Sequence, residues 1–272
     1  MNPGKPDAVF AQAIAQLYEQ HLVPLIFEPY AADLATRVRQ KKPSRVLEVA
    51  AGTGVVTRAL ADSLPSSTHI VATDLNQPML DQAATKSTSR PVEWRQADVM
   101  QLPFPEQSFD VVVCQFGAMF FPDKVKAFAE VRRVLSDGGD FLFNVWDRIE
   151  ENEFADTITR ALATLYRDNP PCFLARVPHG YCDLAIISRD LAAGGFGHTA
   201  ECHTLTERSR ASSPSIPAIA YCHGTPLRSE IEGHGATALS EATDAATAAM
   251  SDRFGNGPVE GKIQAHVITT TR

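Results

Sequence analysis

Short hydrophobic runs alternate with helical patterns through the middle of the chain. Six runs rich in β-branched and aromatic residues have the length of strands, and apolar residues recur at helical spacing between the first five. The runs read RVLEVA, HIVATDL, VEWRQAD, FDVVVCQF, DFLFNVW and, near the end, KIQAHVIT. Because alternating strands and helices build parallel sheets, the pattern predicts an α/β fold with helices on both faces of an open sheet.

Helical patterns also lie outside this alternation. Apolar spacing predicts helices over residues 7–22 and 29–40, before any strand. A helix is predicted from Asp123 to the pair Gly138 and Gly139, which would form its left-handed C-terminal cap. Further helical patterns follow the fifth strand run. We therefore expect an N-terminal helical cap (1–42), a cofactor-binding core (43–148) and a region of insertion helices and closing strands (149–272).

Composition and charge narrow the function classes. The 272 residues carry a formal net charge of −7 and show no basic stripe, which disfavours nucleic acid and anionic membranes as partners. The five cysteines have wide gaps and no C-x-x-C, so neither a disulfide framework nor a zinc site is predicted. No signal peptide or membrane-spanning run is evident, so we expect a cytoplasmic protein. The oligomeric state is left open, a homodimer included.

The small residues after the first strand run indicate a ligand that approaches the backbone closely. Ligands of open parallel sheets bind beyond the carboxyl ends of the strands, and the loop at 50–54 lies there. Asp74 ends the second strand run, where a carboxylate can accept hydrogen bonds from ribose hydroxyls. Thr57 stands where the dinucleotide fingerprint G-x-G-x-x-G has its third glycine, which disfavours a pyrophosphate. The acid Glu48 suits a ligand with positive charge, such as S-adenosyl-L-methionine.

Four blocks between about Arg45 and Asp147 carry a family resemblance. They read VLEVAAGTG, VATDLNQPML, RQADVMQLPFPEQSFDVVVCQFGAMFF and VRRVLSDGGDFLFNVWD. Together they resemble the class I S-adenosylmethionine-dependent methyltransferases, of the group that includes the ubiquinone and menaquinone C-methyltransferases. One departure is Ala50, which replaces the first glycine of the family pattern E/D-x-G-x-G-x-G. We expect a Rossmann-like, doubly wound, mostly parallel seven-stranded sheet, with the N-terminal cap and an insertion after the fifth strand.

The resemblance implies cofactor roles for residues of the core. Glu48 would hold the methionine ammonium through water, and Asp74 would bind the ribose hydroxyls. Asp98 would accept a hydrogen bond from the adenine amino group, beside the backbone N–H of Val99. Gln115 would lie near the sulfonium and the acceptor. The remaining predicted contacts are the loop residues under the cofactor and the apolar residues that flank the adenine: Ala50, Gly52, Gly54, Leu75 and Met79.

The sequence leaves the catalytic residues and the acceptor more open. His179 and Tyr181 lie in a long loop and are candidates for a general base or an acceptor contact, against the alternative that they only pack. Aromatic residues before the sheet and in FGAMFF predict a largely apolar acceptor pocket. Its predicted contributors, besides those two, are Phe10, Tyr18, Phe27, Tyr30, Phe116 and Phe120.

A methyltransferase acting on a small, partly hydrophobic acceptor is therefore the predicted function. The acceptor would be quinone-like, phenolic or lipid-like, and the transfer an in-line displacement. No cluster of His, Cys or carboxylate residues has ligand spacing, so we expect no metal. Two alternatives stay open from the sequence, a non-catalytic S-adenosylmethionine-binding protein and an NAD(P)-dependent oxidoreductase on a similar sheet.

Overall fold

The computed structural model describes residues 13–197 and 200–272 of the chain. The first described helix, α1, is α-helical over residues 13–17 and has wider π-type turns over Tyr18–Phe27. The start of the helix predicted over 7–22, including Phe10, lies outside the described residues. Pro24 lies inside the π-type segment, and the Ser209 hydroxyl donates a hydrogen bond of 2.7 Å to the carbonyl of Leu25 there.

The sheet confirms the predicted α/β class. Over the described residues it has seven strands in the order β3-β2-β1-β4-β5-β7-β6. The first five strands run parallel to one another. Asp147 N–H donates to Gln264 O and Arg272 N–H donates to Gly139 O, so β7 runs opposite to β5. The strands are β1 (Arg45–Glu48), β2 (His69–Asp74), β3 (Glu93–Gln96), β4 (Phe109–Gln115), β5 (Leu135–Trp146), β6 (Glu201–Ala211) and β7 (Val259–Thr271).

Helices join these strands and fill the insertions. After α1 they are α2 (Glu28–Lys41), α3 (Val55–Ser63), α4 (Gln77–Ala84), α5 (Lys124–Val134), α6 (Glu153–Leu165), α7 (Phe173–Arg176), α8 (Leu184–Ala193), α9 (Ser215–Gly224), α10 (Leu227–Glu232) and α11 (Ala238–Phe254). Among the described residues, none of the helices combines the length and the apolar character that crossing a membrane requires.

One expectation about the elements is wrong, and one strand was not predicted. Helix α5 ends at Val134, and Gly138 and Gly139 belong to β5 instead of capping the helix. The backbone N–H of Ser108 and Gln107 bond to Val134 O and Arg133 O, so the chain passes from helix to strand earlier than the glycines suggest. Strand β6 was not predicted as a strand because it is a mostly exposed, polar edge strand without an apolar run.

The described chain forms two compact units. One takes in residues 13–27, 146–180 and 206–264, and the other takes in the described residues of 28–145, 181–205 and 265–272. In the second unit, α2 buries Leu34 and Val38 in a core cluster that includes Leu60 of α3 and Val113 of β4. Helix α2 therefore covers the sheet of its own unit. The predicted division at residues 42 and 148 stays a prediction.

Candidate functional site

The loop between β1 and α3 has an unusual backbone. Ala50, Gly52 and Gly54 have φ values of +54°, +56° and +81°, in the left-handed region that favours glycine. The N–H of Ala51 donates to Thr73 O, and the N–H of Gly54 donates to Ala51 O, each at 2.9 Å. The loop is thus folded tightly against the end of β2, as the small residues predict.

Gly54 lacks a side chain for a packing reason. A Cβ built there would lie 2.7 Å from the ring of Trp94 and 3.2 Å from the Cβ of Ala83. The ring of Trp94, on β3, therefore approaches the loop from the neighbouring strands. Trp94 was not predicted as a site residue, because its spacing from the loop along the chain gives no signal of this approach.

Asp74 joins this loop to the end of β2. Its Oδ2 accepts a hydrogen bond of 2.8 Å from the Gly52 N–H, and its Oδ1 accepts one of 2.8 Å from the Asn76 N–H. Burial raises the pKa of this carboxyl above its ordinary value, against the lowering effect of the hydrogen bonds. A carboxylate can accept about four hydrogen bonds, so each oxygen retains capacity for a ligand hydroxyl.

Glu48 is buried at the end of β1, with 1 % of its surface exposed. Its Oε2 accepts a 2.5 Å hydrogen bond from the Thr57 hydroxyl. The pKa of the Glu48 carboxyl is raised to about 8, chiefly by burial; the Thr57 hydrogen bond lowers it and the nearby Asp74 raises it by smaller amounts. Thr57 stands where the dinucleotide fingerprint has its third glycine. Here it is the hydrogen-bond partner of Glu48, the acid predicted to bind the methionine ammonium.

The predicted adenine residues lie around the ends of β2 and β3. Leu75, next to the partly buried Asp74, is 66 % exposed, and Met79 follows on α4. Asp98 caps the turn Val99–Gln101, its Oδ1 accepting from the Met100 N–H at 2.8 Å. This capping bond is compatible with the predicted adenine role of Asp98, because it uses only Oδ1.

Gln115 ends β4 and pairs in register with Asn144 of β5. The next residue, Phe116, has a left-handed φ of +49°, which is strained for a large side chain. Its N–H donates to Asn144 Oδ1 at 2.9 Å, and its ring contacts Tyr30 edge-on at 5.2 Å. Asn144 was not predicted; it is fully buried and holds the backbone turn that follows Gln115.

Replacement of Ala50 by glycine is expected to stabilise the protein slightly. A left-handed φ costs an L-residue about 1–2 kcal/mol, and glycine loses about 0.4–1 kcal/mol more entropy on folding. We expect Ala50→Gly to raise the melting temperature in thermal unfolding by ~1–2 °C. Ala51→Gly, one residue on, serves as the control and should lower it. A fall in Ala50→Gly as large as in the control would show that its methyl packing outweighs the strain.

His179 belongs to the unit that contains residues 146–180. It is 7 % exposed, and its Nδ1 lies 2.8 Å from Asp147 O. Since a carbonyl only accepts, Nδ1 carries the proton in the neutral ring, and Nε2 has a free lone pair. Burial lowers the pKa of His179 to about 4, so the imidazole is neutral at physiological pH.

Aromatic rings of the same unit form a row that ends at His179. Tyr18 stacks on Phe27 at 5.1 Å, Phe27 lies 6.1 Å from Trp146, and Trp146 lies 6.0 Å from the His179 ring. Trp146 was not among the predicted pocket residues, although its position as the last residue of the fifth apolar run is a signal for it.

Tyr181 belongs to the unit that contains the sheet core. Its hydroxyl donates a 3.0 Å hydrogen bond to Asp190 Oδ2, and the Lys124 ammonium lies 4.7 Å from its ring centroid. Burial and Asp190 raise the pKa of the Tyr181 hydroxyl well above its ordinary value. These contacts disfavour Tyr181 as a base, and its predicted catalytic role stays a prediction. Within the described ranges, no three His, Cys, Asp or Glu side chains cluster so that they could hold a metal ion.

The core of the chain is similar to known proteins. Residues 47–143 match a family described as a methyltransferase domain. The demethylmenaquinone methyltransferase of Thermus thermophilus is 39 % identical over 118 residues, 40 % of this chain and 53 % of that protein. The ubiquinone/menaquinone biosynthesis C-methyltransferase UbiE of Ectopseudomonas mendocina is 38 % identical over 103 residues, 36 % of this chain and 40 % of that protein.

The chain thus spans about half the length, or less, of these relatives. The YcgJ protein of Bacillus subtilis is similar in structure, with a TM-score of 0.56 at 20 % identity, covering 89 % of this chain and 98 % of that one. This similarity bears on the fold, and it agrees with the sheet described above. The match and the two relatives confirm the predicted resemblance: residues 47–143 are similar to methyltransferase domains, including those of the demethylmenaquinone and UbiE methyltransferases.

Proposed function

We propose that the protein transfers a methyl group from S-adenosyl-L-methionine to a small, partly hydrophobic acceptor. The observation that carries the proposal is the hydrogen bond from the Gly52 N–H to Asp74 Oδ2, which joins the small-residue loop to the acidic end of β2. That arrangement places a carboxylate beside the backbone of the small-residue loop, in the region that matches a methyltransferase domain. The proposed size and polarity of the acceptor rest on the row of aromatic rings that ends at His179.

The residues present fit the cofactor. Asp74 retains lone pairs for ribose hydroxyls, and the exposed Leu75 offers an apolar surface to an adenine ring. In the described part of the chain, the Thr53 hydroxyl is buried in the loop without a hydrogen-bond partner, a feature typical of a site completed by ligand or water. Ala50, Gly52 and Gly54 would lie under the cofactor, and Gln115 near its reactive end.

The proposed reaction asks the protein mainly for alignment. When bound, the cofactor supplies a methyl group already activated on a sulfonium, with a neutral thioether as the leaving group. The domain has to hold donor and acceptor in line and exclude water. We propose that His179 Nε2 accepts the proton which the acceptor loses, because its neutral ring keeps that lone pair free.

The proposed acceptor class rests on the aromatic row and on charge. The aromatic row consists of Tyr18, Phe27, Trp146 and His179, and the centroids of successive rings lie 5.1–6.1 Å apart. Such rings favour a flat, apolar molecule with few polar anchors. A net charge of −7 disfavours a polyanionic acceptor. A phenolic or quinone-like molecule, which also carries a proton to lose, fits these features better than nucleic acid.

A labelled methyl-transfer screen tests the proposal. The purified full chain and S-adenosylmethionine labelled on the methyl group are incubated with phenols, quinols, lipids, RNA and an unrelated protein. We expect label in one of the first three classes. Transfer only to RNA or protein would overturn the acceptor class. Binding of S-adenosylhomocysteine with no transfer even in a single turnover would favour a cofactor-binding protein, and binding of NADH alone would favour an oxidoreductase.

Cofactor affinity is expected to rise with pH because of Glu48. With a pKa of about 8, its carboxyl is mostly neutral in the free protein at pH 7, whereas a ligand ammonium favours the ionised form. Binding then releases a proton, so the affinity for S-adenosylhomocysteine should rise by up to about tenfold per unit between about pH 6 and about pH 8.

Calorimetric titration across that range checks the prediction. Glu48→Gln is neutral at every pH and should flatten the dependence. Glu93→Gln is the control, because Glu93 is exposed on β3, and it should leave the slope in place. A slope that persists in Glu48→Gln would assign the titration to another group.

A further inference from the structure

Side chains of helix α5 bind the backbone next to the turn that carries the predicted adenine contacts. Asp98 and Val99 begin this turn, which ends at Gln101 and is followed by the buried Leu102. Within the turn, the Gln101 N–H donates to Asp98 O at 2.9 Å. So short a turn fixes few of its own torsions, and its orientation therefore depends on contacts with the rest of the domain.

Glu130 and Arg133 provide these contacts. Glu130 Oε2 accepts from the Leu102 N–H at 2.9 Å, and Arg133 Nη2 donates to Leu102 O at 2.9 Å. The same guanidinium donates through Nη1 to Phe104 O at 2.8 Å. The N–H and the carbonyl of Leu102 are thus bound by two side chains one helical turn apart.

The two side chains also bind each other. Arg133 Nε donates to Glu130 Oε1 at 2.8 Å and Nη2 donates to Oε2 at 2.9 Å, a two-point pairing of guanidinium and carboxylate. This bonding lowers the pKa of Glu130 below its ordinary value. The guanidinium carbon of Arg95, on β3, lies 5.0 Å from the Phe104 ring centroid, a further contact to the segment after the turn. A fixed, charged pair of this kind holds a backbone more rigidly than a single exposed side chain does.

We propose that Glu130 and Arg133 are positioning residues for adenine recognition, acting through Leu102 on Asp98 and Val99. The inference rests on the proposed function, which assigns adenine to those two residues. Adenine offers an amino donor and a ring-nitrogen acceptor, which match a carboxylate and an N–H. Hypoxanthine offers a carbonyl and a ring N–H at the same places, so a rigid turn binds it poorly. A loosened turn loses this discrimination before it loses the rest of the site.

Calorimetry with two ligands tests the inference on the full chain. The probes are S-adenosylhomocysteine and its hypoxanthine analogue, S-inosylhomocysteine. We expect the wild type to prefer the first by about 10- to 100-fold, since unmade hydrogen bonds cost about 1–3 kcal/mol each. Arg133→Gln and Glu130→Gln should each lower adenosyl affinity by about 5- to 50-fold. Inosyl affinity should change little in both variants, so that the preference collapses.

Arg37→Gln is the matched control. Arg37 makes a comparable pair with Asp33 on α2, at 2.7 Å, and should leave the preference unchanged. If Arg133→Gln does not fold, the isosteric Glu130→Gln carries the test alone. Equal loss of both ligands, or no loss of either, would overturn the positioning role while the cofactor assignment stands. A wild type that binds neither ligand would overturn the cofactor assignment, and the inference with it.

Discussion

Asp74→Ala is expected to lower the affinity for S-adenosylhomocysteine by about 30- to 700-fold, equivalent to about 2–4 kcal/mol. The substitution removes the predicted acceptor of the ribose hydroxyls. It also frees the Gly52 and Asn76 N–H groups, which each donate to the carboxylate at 2.8 Å. The loop under the cofactor then keeps its backbone hydrogen bond to Thr73 but loses its side-chain link to the end of β2, so a ligand contact and part of the preorganisation are lost together. Calorimetric titration measures the change.

Asp81→Ala is the matched control for this prediction. Asp81 lies exposed on α4 of the same unit, where its Oδ1 accepts from Gln77 Nε2 at 2.7 Å. The control should retain wild-type affinity. Asp74→Asn keeps one oxygen and is expected to fall between wild type and Asp74→Ala. If thermal unfolding shows that Asp74→Ala is folded and its affinity is unchanged, the assignment of Asp74 to the ribose hydroxyls is wrong.

His179→Ala is expected to reduce the rate of methyl transfer by a factor on the order of 10²–10⁴, with cofactor affinity unchanged. The reason is the neutral imidazole, whose Nδ1 is bound to Asp147 O and whose Nε2 is left to accept a proton. With a pKa of about 4, His179 is unprotonated over the physiological range. The wild-type rate should therefore be flat above about pH 5 on account of this group, and fall as the pH passes below about 4.

The rate is measured on the acceptor that turns over in the labelled screen. His234→Ala is the control, because this histidine belongs to the same unit and stacks on Tyr166 at 4.1 Å. It should keep the wild-type rate. Full activity in His179→Ala would return His179 to a packing role, and an equal loss in both variants would indicate a general loosening of the unit.

The central strands of the sheet were predictable because strands buried on both faces consist of apolar residues. A strand covered on both faces needs no polar alternation, and the run FDVVVCQF shows none; it forms β4, at the centre of the sheet. The loop at 50–54 was also predictable, because its left-handed backbone requires small residues. By contrast, β6 has no apolar run, since an exposed edge strand is stabilised by its neighbour's backbone and not by burial of its own side chains.

The sequence by itself determined the fold class, the domain type and the identity of the acids at the strand ends. Only the tertiary structure decided what surrounds them. Glu48 has its raised pKa because the whole sheet buries it, and its partner Thr57 meets it across the turn into α3. Likewise, Arg133 reaches Leu102 across 31 positions of the chain. Such contacts depend on distances between elements, which periodicity along a chain does not encode.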